Sequence, residues 1–210
     1  MPSWTPPPEW KGQDGIIIGG GSSLKDFDFT QLKGKNVIGC NSAYKLGGDI
    51  VNICLSGDAS WWEINKHELK NFTGRVVTCA PTLLPINLDW LLQMERVRDG
   101  LHEGKTLGWN YSTGAAAVNL AVSLGAIDIY LLGFDMAVVD GKSHWHNYYL
   151  KRFNKEAIVR FIRGFHTLEN SLKRLPHVKV YNVTDGSSNL PVFNRITFAE
   201  FAARGEGVFA

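Results

Sequence analysis

Short apolar runs that end in glycine or small polar residues recur along the chain, and they predict buried β-strands. Strands are predicted at residues 16–18, 36–40, 50–55, 75–79 and 127–132, with a last strand at 178–183. Helices are predicted at residues 58–69, 112–124, 149–175 and 198–203. Because strands alternate with helices, we predict an α/β fold in which a mostly parallel sheet is covered by helices on both faces.

End signals support two of these helices. Asp58 is a predicted N-cap of the first, and Ser112 or Thr113 caps the second, which Gly125 ends as a C-terminal cap. The region from residue 81 to 105 is ambiguous, and its segment 88–97 fits either a helix or a strand.

Composition narrows the class of protein. The chain has 210 residues, 44% of them hydrophobic, which suits one globular domain. Residues 1–14 form a predicted extended proline-rich arm, and residues 15–210 a nucleotide-binding domain. The net charge of +2 is too small for a nucleic-acid binder, and we expect neither a transmembrane segment nor a signal peptide.

The three cysteines, Cys40, Cys54 and Cys79, lie in apolar surroundings and are not spaced as metal ligands. An odd and sparse set of cysteines suits a reducing compartment, so we expect a cytoplasmic location and small buried side chains. A catalytic thiol is the alternative that the sequence leaves open.

Three isoleucines run directly into three glycines and two serines at residues 16–23. Glycines let a backbone turn tightly, and the free N–H groups of such a turn form a cradle for a phosphate. The alternative is a purely structural turn. Leu24 replaces the third glycine of the dinucleotide fingerprint and Asn41 replaces its acidic ribose ligand, which disfavours a nicotinamide or flavin enzyme. Gly141-Lys142 lacks the earlier glycine of a P-loop, so we reject that motif.

Ligands of parallel α/β sheets bind at the carboxyl ends of the strands. The helix start at residues 112–114 offers a second phosphate site, unless its hydroxyls serve only as ordinary caps. The predicted nucleotide-binding residues are Gly20, Gly21, Ser22, Ser23, Asn41, Asp58, Ser112, Thr113, Gly114, Gly133 and Asp135.

The densest polar cluster contains Asp135, Asp140, His144 and His146. Two imidazoles and a carboxylate suit a metal ion, one histidine suits general acid–base chemistry, and a solvated loop is the third interpretation. Tyrosine hydroxyls can steady a departing phosphate. We therefore predict His144, His146, Tyr148 and Tyr149 as catalytic residues, without a metal site.

The order of motifs at the strand ends resembles the bacterial α-2,3/2,8-sialyltransferases and their uncharacterised relatives, and also the archaeal 6-hydroxymethylpterin pyrophosphokinase-like proteins. The motifs are Gly-x-Ser-Leu at 21–24, Cys40-Asn41 with Tyr44, Ser-Thr-Gly at 112–114, and Leu131-x-Gly133-x-Asp135. The resemblance spans residues 15 to about 183. Gly20 and Ser22 depart from the asparagine and proline of the sialyltransferase motif.

The resemblance implies a single Rossmann-like domain of glycosyltransferase-A type that binds a cytidine monophosphate (CMP) sugar without a metal. By position, Gly21, Ser23, Asn41 and residues 112–114 would hold the nucleotide, and Asp135 would lie near its ribose or phosphate. Sialyltransferases use tyrosines on the leaving phosphate and a histidine from a mobile lid as base.

We therefore expect a nucleotide-sugar-dependent glycosyltransferase that acts on an acceptor hydroxyl and has a small-molecule nucleotide as its ligand. A second hypothesis is an ATP-dependent pyrophosphokinase-like enzyme, which would need Mg²⁺ on Asp58, Asp135 or Asp140. A third is a non-catalytic nucleotide-binding accessory protein. The sequence leaves the oligomeric state open, including a homo-oligomer.

Overall fold

A computed structural model describes residues 4–137, 145–146 and 155–206. Ten strands and four α-helices lie in these ranges. The strands are β1 (Asp14–Ile18), β2 (Val37–Cys40), β3 (Ile53–Ser56), β4 (Arg75–Thr78), β5 (Leu91–Gln93), β6 (Glu95–Val97), β7 (Thr106–Gly108), β8 (Asp128–Leu132), β9 (Lys179–Val183) and β10 (Asn194–Ile196). The helices are α1 (Ala59–Leu69), α2 (Thr113–Ser123), α3 (Lys155–Leu172) and α4 (Phe198–Glu206).

Eight strands form one sheet in the order β10-β9-β8-β1-β2-β3-β4-β5, and β6 and β7 form a separate pair. Every strand pairing in the described ranges is parallel. From β1 the chain first adds strands on one side, through β5, and later adds β8, β9 and β10 on the other. The order of the strands therefore reverses between β1 and β8, where sheets of this type bind ligands.

Alternate residues of each strand enter different cores, as the pleat requires. Ile17 of β1 packs with α2 and α3 on one face, while Ile16 and Ile18 face the opposite core. The opposite face holds α4 beside the β8–β9 side and α1 beside β3 and β4. Helices on both faces of a single parallel sheet confirm the predicted fold class.

Helix α2 crosses the sheet closely because most of its residues are small. The hydroxyl of Ser112 accepts a hydrogen bond from the Ala115 N–H at 3.1 Å and caps the helix start. At the other end, Gly125 has φ +94°, its N–H donates to the Val122 carbonyl, and the Ala126 N–H donates to the Ala121 carbonyl. These bonds form a Schellman cap, which confirms the predicted helix end.

The proline-rich arm packs against its own domain. Trp10 is only 4% exposed and belongs to the core beneath α2, and its N–H donates to the Leu124 carbonyl. Nearer the terminus, the Trp4 N–H donates to the Gln93 carbonyl of the edge strand β5. Glu9 pairs with Arg75 at the start of β4. The arm is thus part of the packed structure from residue 4 onward.

Several predicted boundaries change. The strand at 178–183 is not the last, because β10 follows it. Strand β3 starts at Ile53 instead of residue 50, since residues 50 and 51 donate to the Gly47 carbonyl in a turn. The ambiguous segment 88–97 contains two strands, β5 and β6. Helix α3 ends at Leu172, before residue 175, and residues 149–154 of that prediction lie outside the described ranges.

We predict that Gly125→Ala lowers the free energy of unfolding by about 2 to 5 kcal/mol. A left-handed alanine costs about 1 to 2 kcal/mol, and a Cβ there would lie 2.9 Å from the Lys11 Cα, adding a packing cost of about 1 to 3 kcal/mol. Gly12→Ala is the matched control, because Gly12 has φ +73° with nothing within 4 Å of its Cβ position. Urea denaturation of both variants checks this. Equal losses would refute the packing cost.

Candidate active site

The loops that leave β1 and β8 are joined by backbone hydrogen bonds. The Gly19 N–H donates to the Leu132 carbonyl and the Gly21 N–H to the Gly133 carbonyl, both at 2.8 Å. A Cβ on Gly21 would lie 2.7 Å from both the Gly133 carbonyl oxygen and the carboxyl carbon of Asp135. The glycines that the sequence placed in a phosphate loop are therefore needed for the close approach of these two strand ends.

Asp135 connects the two loops. It is 2% exposed, and its carboxylate accepts the Ser23 N–H at 2.8 Å and the Ser23 hydroxyl at 2.6 Å. The Ser22 hydroxyl lies 3.4 Å from the same carboxylate. The Asp135 carboxylate is therefore the anion that lies at the first turn of the short helix Ser22–Leu24. A phosphate placed beside Ser23 would meet the negative charge of Asp135.

The start of α2 lies beside this junction. A Cβ on Gly114 would lie 2.3 Å from the ring of Phe134, and a Cβ on Gly19 would lie 3.0 Å from the same ring. The Phe134 ring thus lies between the β1 loop and the start of α2, and these two elements are one ring's width apart. Ser112 and Thr113 are both buried at this point.

Asn41 follows β2, the strand next to β1. Its backbone is in the left-handed region, with φ +51°, and its side-chain Oδ1 is buried without a hydrogen-bond partner. A buried carbonyl oxygen without a partner is uncommon in folded proteins, and this one is an available acceptor at a strand end.

Further non-glycine residues with positive φ lie just beyond other strands. Asn110 (φ +44°) and Tyr111 (φ +63°) connect β7 to the cap of α2, and Met136 (φ +50°) follows Asp135. Backbone of this kind is costly and concentrates at functional sites. Met136 thus follows β8 at the predicted site, whereas Asn110 and Tyr111 follow β7 of the separate strand pair and Phe193 (φ +71°) precedes β10.

Asp58 lies one strand beyond β2 and has a structural contact. Its Oδ1 accepts the Ser60 and Trp61 N–H groups at 2.9 and 3.2 Å, which confirms the predicted N-cap of α1. Its assignment to nucleotide binding stays a prediction, as does that of the other strand-end residues.

Two residues at this edge were missed by the sequence reasoning. Arg96 donates to the Cys79 and Gly57 carbonyls at the ends of β4 and β3, and its guanidinium lies 3.9 Å from the Trp109 ring centre. The missing signal was the secondary structure of residues 88–97, without which Arg96 could not be placed at a strand end.

Trp145 was also missed. Its N–H donates to the Gly20 carbonyl and its indole N–H to the Gly19 carbonyl, each at 3.0 Å. Its ring packs on Phe29 and meets the ring of His146, 4.8 Å away. The two hydrogen bonds place Trp145, the residue before His146, against the β1 loop. The other predicted catalytic residues, His144, Tyr148 and Tyr149, lie outside the described ranges, as does Asp140.

The cysteines have no exposed reactive thiolate. All three are free, and desolvation raises the pKa of Cys40 to about 12 and that of Cys79 to about 11. Burial also raises the pKa of Cys54. The thiols are therefore protonated at neutral pH, which argues against a catalytic thiol.

Within residues 4–137, 145–146 and 155–206, no group of three or more His, Cys, Asp or Glu side chains is arranged to hold a metal ion. No helix in these ranges is both long and apolar enough to span a membrane.

No protein-family model matches this chain, and no curated protein matches it. Solved structures of Campylobacter jejuni sialyltransferases match it. CstII in complex with the substrate analogue cytidine-5'-monophosphate is 17% identical, with a TM-score of 0.56 over 89% of this chain and 85% of CstII. CST-II with a trisaccharide acceptor and CMP is 18% identical, with a TM-score of 0.55 over 88% and 86%. The monofunctional α-2,3-sialyltransferase Cst-I is 15% identical, with a TM-score of 0.53 over 83% and 77%.

The chain shares the fold of these sialyltransferases. At such low identity the likeness is one of fold, and it confirms the resemblance seen in the order of the motifs.

We predict that Asp135→Asn lowers the free energy of unfolding by about 1 to 3 kcal/mol, because an amide NH₂ replaces one of two buried acceptor oxygens facing the Ser23 donors. Asp58→Asn is the matched control, since that carboxylate is exposed and asparagine caps a helix as well as aspartate does. We expect a loss below about 0.5 kcal/mol there. Chemical denaturation measures both, and similar losses would contradict the assigned roles.

Proposed function

We propose that this protein is a nucleotide-sugar-dependent glycosyltransferase whose donor, a CMP-linked sugar, binds where β1, β2 and β8 end beside the start of α2. The fold shared with CstII supports this, since CstII structures contain CMP. The observation that carries the proposal is Asn41. Its amide oxygen is buried without a partner at the strand end next to the β1 loop.

The free-energy cost of the unpaired oxygen and the left-handed backbone of Asn41 favours a bound ligand. An unsatisfied buried carbonyl costs about 1 to 3 kcal/mol, and the left-handed backbone adds a cost that is smaller for asparagine than for other non-glycine residues. A nucleotide that donates a hydrogen bond to Oδ1 would recover part of them.

Charge orients the nucleotide. The Asp135 carboxylate repels phosphate, and it favours hydroxyl or amino groups such as those of a ribose or a cytosine. The start of α2 carries the positive end of the helix dipole, where the Ser112 hydroxyl already caps the Ala115 N–H. We therefore place the nucleoside toward Asp135 and the phosphate toward residues 112–114.

The reaction would transfer the sugar to an acceptor hydroxyl. The acceptor oxygen attacks the anomeric carbon as the bond from that carbon to the phosphate oxygen breaks, and CMP leaves. His146, which follows the loop-bonded Trp145, or His144 accepts the proton of the acceptor hydroxyl. Tyr148 or Tyr149 donates a hydrogen bond to the departing phosphate.

We predict that CMP binds without Mg²⁺, and that ATP binds much more weakly whether or not Mg²⁺ is present. Isothermal titration calorimetry with CMP, UMP, AMP and ATP checks this. Absence of heat with every nucleotide at millimolar concentration would refute the proposal. Binding of ATP alone with Mg²⁺ would instead indicate the pyrophosphokinase-like enzyme. Binding of CMP without sugar transfer from a CMP-linked sialic acid would indicate a non-catalytic nucleotide-binding protein.

We predict that Asn41→Gly weakens CMP binding about tenfold, which is about 1.4 kcal/mol, while the free energy of unfolding stays the same or rises. Glycine relieves the left-handed strain and removes the unpaired amide. Asn110→Gly is the control, because the Asn110 amide bonds both the N–H and the carbonyl of Gly100. It should lose about 1 to 3 kcal/mol of stability. Unchanged CMP affinity in Asn41→Gly would contradict the role given to Asn41.

A further inference from the structure

We propose that Asn182, Ser188 and Asn189 form a clamp that positions Asp135 in the nucleotide site. This inference rests on the proposed function, and it adds a part of the site that none of the strand-end motifs contains. The clamp lies on β9 and on the loop between β9 and β10, on the side of Asp135 opposite the β1 loop.

The clamp bonds three consecutive backbone carbonyls. The Ser188 hydroxyl donates to the Phe134 carbonyl at 3.1 Å, and the Asn189 N–H donates to the Asp135 carbonyl at 2.7 Å. The Asn189 side-chain amide donates to the Met136 carbonyl at 3.3 Å. These bonds hold the backbone on both sides of Asp135, whose carboxylate meanwhile bonds Ser23.

Ser188 is the centre of the clamp. Besides donating to Phe134, its hydroxyl accepts the Asn182 amide at 2.9 Å and the Leu190 N–H at 3.2 Å. A serine hydroxyl has one donor and two acceptor positions, and all three are used. Removing this oxygen would leave several partners unpaired at once.

The turn that contains Asp135 needs the support of these hydrogen bonds. Gly133 has φ +75° and Met136 has φ +50°, so left-handed residues lie on both sides of Asp135. Because Met136 is not a glycine, its left-handed conformation is energetically unfavourable. With the clamp removed, the backbone would be free to relax, and the Asp135 carboxylate would lose its alignment with Ser23.

Asn182 shows that the clamp is not built for stability. It is 1% exposed, it points from β9 into the apolar core that also contains Val180 and Leu131, and its Oδ1 has no hydrogen-bond partner. An apolar side chain of similar size would suit this core position better. What asparagine adds there is the hydrogen bond to Ser188.

The test is therefore Asn182→Leu. We expect a melting temperature equal to or above that of the wild type, a CMP affinity about fivefold to tenfold weaker, and faster hydrogen exchange of the Ser23 amide, whose acceptor is Asp135. Ser188→Ala should weaken CMP binding similarly, and Ser188→Thr, which keeps the hydroxyl, should restore it.

Ser123→Ala is the matched control. The Ser123 hydroxyl also bridges an asparagine amide and a backbone carbonyl, those of Asn119 and His102, but it lies at the far end of α2. It should change neither CMP affinity nor Ser23 exchange.

The proposal is overturned if Asn182→Leu binds CMP as the wild type does, or if any loss of affinity occurs with unchanged Ser23 exchange. The exchange measurement needs no nucleotide. If the wild type does not bind CMP, the proposed function fails, and the exchange rate of Ser23 in Asn182→Leu still decides whether the clamp holds Asp135.

Discussion

The contact between Asp135 and Ser23 is the interaction on which the described site depends. It joins the ends of β1 and β8, the two strands between which the sheet order reverses, and it buries a carboxylate with two donors from one residue. Glycines at positions 21 and 133 are required because a larger residue would separate the two loops. The backbone geometry and the charge of this junction both follow from this one bonded pair.

Several residues beyond this contact have energetically unfavourable backbone conformations or unpaired buried polar atoms. Asn41, Asn110, Tyr111 and Met136 adopt left-handed backbone conformations, and Asn41 and Asn182 bury amide oxygens that have no partner. Natural sequences keep such features where function, and not stability, selects the residue. Such features also occur elsewhere, since Phe193 before β10 has φ +71° and Trp62 of α1 buries an unpaired indole N–H group.

The fold class was open to prediction because each central strand is a short apolar run followed by glycine or a small polar residue, and because Asp58, Ser112 and Gly125 mark helix ends by local chemistry. Strand β10 was missed because its three residues, Asn194, Arg195 and Ile196, have no apolar pattern, so tertiary pairing with β9 decides it. The same applies to the site. Gly21 and Asp135 could be predicted because they belong to recognisable motifs. Trp145 and Ser188 could not, because each bonds a residue more than fifty positions away and the sequence around them does not indicate that partner.

The position of β1 in the middle of the sheet has a consequence for synthesis of the chain. Strand β1 emerges before both of its neighbours, and one of them, β8, begins only at Asp128, so that edge of β1 stays open while more than a hundred residues are added. During that interval the isoleucines of β1 present an unpaired apolar strand, a surface prone to association with other chains. Arrival of β8 covers that edge and delivers the carboxylate to Ser23 in the same event, so pairing of the central strands and assembly of the proposed nucleotide pocket are one step of folding.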